Sequence, residues 1–301
     1  MLPLDLPFLR AAHDRAAHRR AEPRLVDDLL KEPGTRVLVL RGDQVATAGR
    51  RVALLPPVDV AHLAVRTHLF LGEADGVAYL AAVLAEPDAG ADAEPVPGAG
   101  WAGMRTLDVP DLEQGLAVEA FALARWHASH THCPLCGTPT DVTQAGWVRV
   151  CPADGSHHFP RTDPAVIMAI TDADDRLLLA RGPEWGTDRR SVLAGFVEPG
   201  ESPEQAVVRE TAEEVGVVVD PESIEYRGSQ PWPFPASLML GFRARATTTE
   251  LVRQEDEIAE ADWFSRAELA AAIAEGRLSP HGRNSIGRAL IEEWLGGPMA
   301  G

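Results

Sequence analysis

Apolar positions along the chain fall into short strand-like runs and a few longer helical patterns. Arg36–Leu40, RVLVL, reads as a strand followed by a turn at Gly42-Asp43, and Val52–Leu55 and His68–Leu71 are further short strands. Glu86–Gly100 is rich in Ala, Pro, Gly and Asp and reads as a connector. Leu112–Ser129 has helical spacing, with Leu116, Val118, Phe121, Ala122 and Trp126 at core positions. In the second half Ala165–Thr171, AVIMAIT, reads as an apolar strand. Asp172–Asp175 is its turn and Arg176–Ala180 the return strand. Ile224–Gln230, Leu238–Ala246 and Ala261–Phe264 are also strand-like, and Arg266–Glu275 and Ser285–Leu295 read as helices. Strands interleaved with helices and hairpins predict a mixed α/β and α+β class, a mixed sheet between helices.

Between these strands lies Gly195–Val217, GFVEPGESPEQAVVRETAEEVGV. Pro199-Gly200 marks a turn, Ser202 is an N-cap with Pro203 at the first helical position, and Gly216 ends the helix after Val215. Residues three and four apart share a helical face, so Glu210, Glu213 and Glu214 cluster, with Val208, Ala212 and Val215 on the opposite, core-facing side. Three like charges on one face repel. Hard divalent cations combine carboxylates with substrate phosphates, so a metal site accounts for the cluster better than a solvated face does.

A second pattern precedes it. Cys133-Pro-Leu-Cys136 is a C-x2-C knuckle, followed after fourteen intervening residues by Cys151 and then Asp154. This is zinc-ribbon spacing with Asp154 where a fourth cysteine would stand, and His157 or His158 are alternative fourth ligands. A ribbon without metal, held by packing, is the competing reading.

The spacing G-x5-E-x7-R-E-x2-E-E-x-G, from Gly195 to Gly216, resembles the signature of the Nudix hydrolases, with Thr211 at a usually aliphatic position. Ser229–Ser237, SQPWPFPAS, resembles the motif of the NADH pyrophosphatase branch of that family. So do the ribbon placed before it, the FPRTDPAVI run and the SIGRALIE run, and the likeness is good from Met104 to Glu293. Three prolines in nine residues make a stiff, irregular loop suited to gripping a base.

The resemblance implies a Nudix α/β/α sandwich with a mixed sheet, preceded by a zinc ribbon and an N-terminal α/β domain. The expected domains are 1–128, 129–160 and 161–301. It implies metal-dependent hydrolysis of the diphosphate of NADH or NAD+ to nicotinamide mononucleotide and AMP, with removal of NAD caps from RNA 5′ ends by some members. Mg2+ or Mn2+ would be catalytic and Zn2+ structural, and the enzyme a homodimer. By position, Glu210, Glu213, Glu214, the Ala194 carbonyl and Glu257 match metal ligands. Arg209 orients the glutamates and Glu201 braces the loop. Arg105, Phe159, Phe196, Gln230, Pro231, Trp232, Pro233, Phe234, Pro235, Ala236, Ser237 and Gly287 match substrate positions, Phe159 across a dimer interface. Where the branch has an acidic substrate contact before the ribbon tryptophan, this chain has Gly146.

Composition narrows the rest. The 301 residues allow two or three domains, and 45% hydrophobic residues suit a sizeable core. Lys and Arg total 28 against 45 Asp and Glu, and the net charge of −17 argues against tight nonspecific binding to nucleic acid or anionic membrane. No apolar run reaches membrane-spanning length, the start MLPLDLPFLR is a poor signal peptide, and three cysteines make a disulfide framework unexpected, so a reducing cytoplasm is the simplest setting. His13, His18, His62 and His68 are scattered and read mostly as surface residues. The rival readings are a Nudix hydrolase of ADP-ribose or a diadenosine polyphosphate, a non-catalytic nucleotide-sensing Nudix protein, and a zinc-ribbon RNA-binding module.

Overall fold

A computed structural model describes residues 12–85, 95–279, 282 and 284–299. The chain forms two compact units: one takes in the described residues up to Arg161 with Pro233–Ala236, the other Thr162–Trp232 and the described residues from Ser237 onward.

The N-terminal unit opens with a short helix α1 (Leu25–Leu29), then β1 (Arg36–Arg41), β2 (Gln44–Ala48), β3 (Arg51–Val52) and a single-turn helix α2 (Pro57–Val60). A long hairpin β4 (Val65–Ala74) and β5 (Val77–Leu84) follows, then β6 (Gly100–Gly103) and α3 (Asp111–Ser129). The sheet order is β3-β2-β1-β5-β4, with β6 on β2 and β1 parallel to β5. Val37–Leu40 are fully buried, as expected of a strand covered on both faces. The expected strand Val52–Leu55 is divided, because the segment changes partner: Arg51–Val52 pairs with β2, and Leu55 exchanges both backbone hydrogen bonds with Val37 of β1. The Glu86–Gly100 connector lies mostly outside the described residues.

Helix α3 buries more than one stripe. Leu116, Val118, Phe121 and Trp126 are buried as expected, whereas Ala122 is exposed. Glu113, Glu119 and His127 are buried too, each with partners. Glu113 accepts the Val52 N–H at 2.7 Å and an Arg51 guanidinium hydrogen bond, and Glu119 lies 2.9 Å from His13 Nε2. His13 is therefore not a surface residue, and His68 is half-buried; only His18 and His62 of the four are exposed. The ribbon follows as β7 (Asp141–Thr143), β8 (Val148–Val150) and β9 (His157–His158), paired in that order.

The second unit comprises β10 (Asp163–Thr171), β11 (Leu177–Arg181), β12 (Leu193–Phe196), α4 (Pro203–Val215), β13 (Glu225–Trp232), β14 (Ser237–Arg245), β15 (Glu260–Phe264), α5 (Arg266–Ala274) and α6 (Ile286–Leu295). Its mixed sheet runs β13-β14-β10-β11-β15, with β12 on β10 and β10 parallel to β14. Successive β10 side chains face opposite ways. Val166, Met168 and Ile170 join Ala206, Val207 and Val215 of α4, while Ile167 and Ala169 join Leu290, Ile291 and Trp294 of α6 and Leu269 of α5. This is an α/β/α sandwich. Among the described residues no helix is long and apolar enough to cross a membrane.

Candidate active site

Helix α4 is held at both ends by its own sequence. Ser202 Oγ accepts the Gln205 N–H at 3.2 Å and Gln205 Oε1 accepts the Ser202 N–H at 2.8 Å, a reciprocal cap. Gly216 closes the helix at φ 73°, and a Cβ there would meet Val252 at 2.9 Å. The buried face differs from the expected one. Ala206, Val207, Thr211, Glu214 and Val215 face inward, Val208 is half-buried and Ala212 is exposed. Thr211 tolerates burial because its hydroxyl donates to the Val207 carbonyl at 2.7 Å. The helix is thus rotated so that Glu214 lies against the protein and the glutamates do not form one solvated stripe.

That rotation creates the electrostatic feature of the site. Glu214 is only 7% exposed, and its Oε2 has no hydrogen-bond partner. Burial first, then the charges of Glu210 and Glu257, push its carboxyl up to about 8. Burial likewise raises Glu210, against the pull of Arg209. Glu257 arrives from a separate loop that hangs from the end of α4: the Gln254 N–H donates to the Glu214 carbonyl at 3.0 Å, and the Glu257 N–H to the Gln254 carbonyl at 3.0 Å. Gly195 abuts Glu210, since a Cβ added there would overlap the Glu210 carboxylate. Ala194, one residue earlier in β12, pairs with Ile167.

Arg209 organises the outer side. It makes a two-point bridge to Glu201 (2.8 and 2.9 Å), reaches Glu213 at 2.8 Å and Glu210 at 3.0 Å, and donates to the Phe196 carbonyl at 2.9 Å. Glu201 in turn accepts the Glu198 N–H at 3.0 Å, which closes the loop before α4, and the Arg209 bridge holds its carboxyl below the usual range. Glu213 is half exposed. Glu214 thus feels the charges of Glu210 and Glu257, while the Arg209 guanidinium, which reaches Glu210, is spread over four acceptors. Hard oxygen donors, a buried carboxylate oxygen without a partner and uncompensated negative charge are what a divalent cation satisfies.

The SQPWPFPAS segment is more regular than an irregular loop. β13 runs through Trp232, β14 starts at Ser237 opposite it, and Pro233–Ala236 form the turn. Gln230 does not offer its side chain to a pocket. It is fully buried, its Nε2 donates to the Asn284 carbonyl at 2.8 Å, and its Oε1 accepts the Ile286 N–H at 2.9 Å, so it ties β13 to the start of α6. Pro231, Trp232, Phe234, Ala236 and Ser237 are half-buried, Pro235 exposed and Pro233 buried. Gly287 lets α6 approach closely: a Cβ there would lie 3.2 Å from Ser191 Oγ and 3.3 Å from Ile167 Cδ1. Phe196 is 56% exposed beside Gly195.

Three other positions belong to the N-terminal unit. Arg105 places its guanidinium carbon 4.3 Å from the Phe234 ring centroid. Phe159 is exposed, its ring 6.4 Å from that of His157. Gly146 has φ 95°, and a Cβ there would meet Leu69 Cδ2 at 2.5 Å. Neither backbone nor space admits a side chain at Gly146, so an acidic contact from this position is ruled out.

The ribbon holds Cys133, Cys136, Cys151 and Asp154 with their ligand atoms all within 4.8 Å of one another. Its two knuckles are the same turn made twice. Gly137 N–H donates to the Cys133 carbonyl and Gly155 N–H to the Cys151 carbonyl, each at 2.9 Å, and both glycines have φ 74°. Cys-Pro-Leu-Cys-Gly and Cys-Pro-Ala-Asp-Gly therefore put Asp154 in the place of Cys136, a repeat visible in the sequence but missed by cysteine spacing alone. Hydrogen bonds from Ser156 hold the Asp154 carboxyl well below the usual range. His157 and His158 are outside this four-residue group; His158 Nε2 instead lies 3.1 Å from Ser156 Oγ. All three cysteines are free of disulfides.

Comparison with known proteins agrees with both halves of this description. Residues 161–283 match the NUDIX domain model and residues 128–159 the NADH pyrophosphatase zinc ribbon domain. The chain is 41% identical over 274 residues to the NAD-capped RNA hydrolase NudC of Mycobacterium bovis, covering 86% of this chain and 82% of that protein. It is 43% identical over 228 residues to the protein of the same name from Stutzerimonas stutzeri, covering 75% and 76%. The chain belongs to the Nudix hydrolase family, in the branch that carries the NADH pyrophosphatase zinc ribbon.

Proposed function

We propose that this protein hydrolyses the central diphosphate of NADH or NAD+, releasing nicotinamide mononucleotide and AMP, and that NAD-capped RNA 5′ ends are further substrates. The observation that carries the reading is the buried Glu214 carboxylate oxygen without a partner, in a carboxyl that the charges of Glu210 and Glu257 push up. The choice of substrate is supported by the relatives named NAD-capped RNA hydrolases and by the matching zinc ribbon.

Glu210, Glu214, Glu257 and the Ala194 carbonyl would hold Mg2+ or Mn2+, with Glu213 beside them as ligand or base. Bound there, such ions neutralise diphosphate oxygens and acidify a coordinated water. The chain's own residues do the positioning. Arg209 fixes Glu210 and Glu213 relative to Phe196, and Glu201 locks Arg209 in turn. Gly195 leaves room for the Glu210 carboxylate. Phe196 supplies a base-stacking face, and Trp232 of the same unit is a further substrate residue. In a homodimer Phe159 would serve the partner's base. Zn2+ on Cys133, Cys136, Cys151 and Asp154 is structural.

Product analysis tests this. Purified protein incubated with NADH and Mg2+ or Mn2+ is expected to yield AMP and reduced nicotinamide mononucleotide, and neither with chelator present. Turnover of ADP-ribose or a diadenosine polyphosphate in preference to NADH would overturn the substrate assignment.

A further inference from the structure

The loop that carries Glu257 is closed by a residue to which the proposed reaction gives no role. Its two ends are tied to different elements. At the entrance the Val252 N–H donates to the Val215 carbonyl at 2.9 Å and the Gln254 N–H to the Glu214 carbonyl at 3.0 Å, both at the end of α4. At the exit the Ala259 N–H donates at 2.8 Å to the carbonyl of Arg181, the last residue of β11. Between them the chain makes a single turn, in which the Glu257 and Ile258 N–H groups donate to the Gln254 carbonyl at 3.0 and 2.8 Å. Ile258 is buried in the same core cluster as Val207 and Val215, while Glu257 stays exposed.

Arg253 fastens this turn. Its Nη1 donates to the Ala259 carbonyl, so one side chain joins the residue before the turn to the residue after it. Glu255, Asp256 and Glu257 stand inside the turn, yet this guanidinium hydrogen bond goes to a backbone carbonyl. A carbonyl acceptor orders the loop without drawing a carboxylate away from a cation. Freedom left in the turn would have to be surrendered when Glu257 takes up a metal ion, which lowers affinity. The turn already holds the Glu257 charge where it acts on both Glu210 and Glu214.

We propose that Arg253 is a positioning residue of the metal site: by clasping the Ala259 carbonyl it presets the Glu257 turn for a divalent cation. This rests on the proposed function above, in which Glu257 is a ligand. Groups that orient a ligand without touching the metal typically contribute 10–100-fold in metal affinity or activity. The sign of the effect identifies the role. Arg253 carries a positive charge on the cation's own loop, so electrostatics alone makes its removal tighten cation binding. Loss of the clasp does the reverse.

The test is calorimetric titration of the full-length protein with Mn2+ in four forms: wild type, Arg253→Ala, Glu257→Gln and the double variant. Arg253→Ala is expected to bind Mn2+ roughly tenfold more weakly than wild type. In the Glu257→Gln background the same change should add nothing, because the clasp then has no ligand to position. Unchanged or tighter binding by Arg253→Ala, while Glu257→Gln weakens it, overturns the proposal and leaves Glu257 a ligand. An equal loss in both backgrounds also overturns it, since the effect would not pass through Glu257. So does a raised KM for NADH at saturating Mn2+ with unchanged Mn2+ affinity, which would make Arg253 a substrate contact. Wild-type affinity in Glu257→Gln removes Glu257 from the ligand set, and the proposal with it.

Discussion

Glu214→Gln separates what the site costs the fold from what it contributes to catalysis. In the metal-free protein burial, Glu210 and Glu257 push the Glu214 carboxyl from 4.5 to about 8. The unfolded chain releases this proton near 4.5 while the fold holds it to about 8, so the fold is destabilised progressively as pH rises between those values. The penalty is absent below 4.5 and complete above 8. At 1.36 kcal/mol per pH unit it is on the order of 3 kcal/mol at pH 7 and about 5 kcal/mol above pH 8. Glutamine keeps the shape and carries no charge, so chelator-treated Glu214→Gln should be more stable than chelator-treated wild type at pH 8, with the gap closing towards pH 4.5. Adding Mg2+ should stabilise the wild type and leave the variant nearly unchanged, while kcat on NADH falls by orders of magnitude in the variant. Urea unfolding followed by circular dichroism at pH 5 and pH 8, with steady-state kinetics, provides the readout. A variant less stable than wild type at pH 8, a gap that does not depend on pH, or activity within tenfold of wild type would refute the reasoning.

Other predictions follow from single contacts. Gly195→Ala forces its methyl group into the Glu210 carboxylate, so kcat should fall about 100-fold, as for displacement of a reacting group by roughly an ångström, with little change in the unfolding midpoint. His127 is buried, its Nε2 donating to the Gly146 carbonyl at 2.8 Å and its Nδ1 accepting from Arg149 at 3.0 Å. Burial lowers it to about 4, so the unfolded chain takes up the proton first, and stability present above pH 6.5 should be lost as pH falls towards 4. That loss is on the order of 3 kcal/mol and should be largely absent in a His127→Gln variant compared by urea unfolding at pH 7 and pH 4.5. For the ribbon, elemental analysis should find about one zinc per chain, retained in Asp154→Cys and lost after dialysis in Asp154→Ala; equal retention in wild type and Asp154→Ala would remove Asp154 from the ligand set.

Local chemistry made much of this protein legible from its residues. Ser202, Pro203 and Gly216 delimit α4 because caps act within one turn, and the structure starts and ends the helix where they stand. The apolar run Ala165–Thr171 became the buried central strand β10, since period and burial are properties of the run itself. The charge spacing from Gly195 to Gly216 and the C-x2-C knuckle carried the family likeness without any tertiary information. Only the packed structure decided how α4 is turned. Spacing shows that Glu210, Glu213 and Glu214 are neighbours, but contacts with β10 and β12 set which of them is buried, and they chose Glu214 over Val208 and Ala212. Tertiary packing also brought Glu257 from more than forty residues away through the Gln254–Glu214 hydrogen bond and turned Gln230 from a prospective substrate contact into a tie to α6. Family likeness matches Glu257 to a metal ligand, but neither the hydrogen bond that carries its loop nor the Gln230 tie could be read from spacing, because each depends on which backbone groups the fold leaves adjacent.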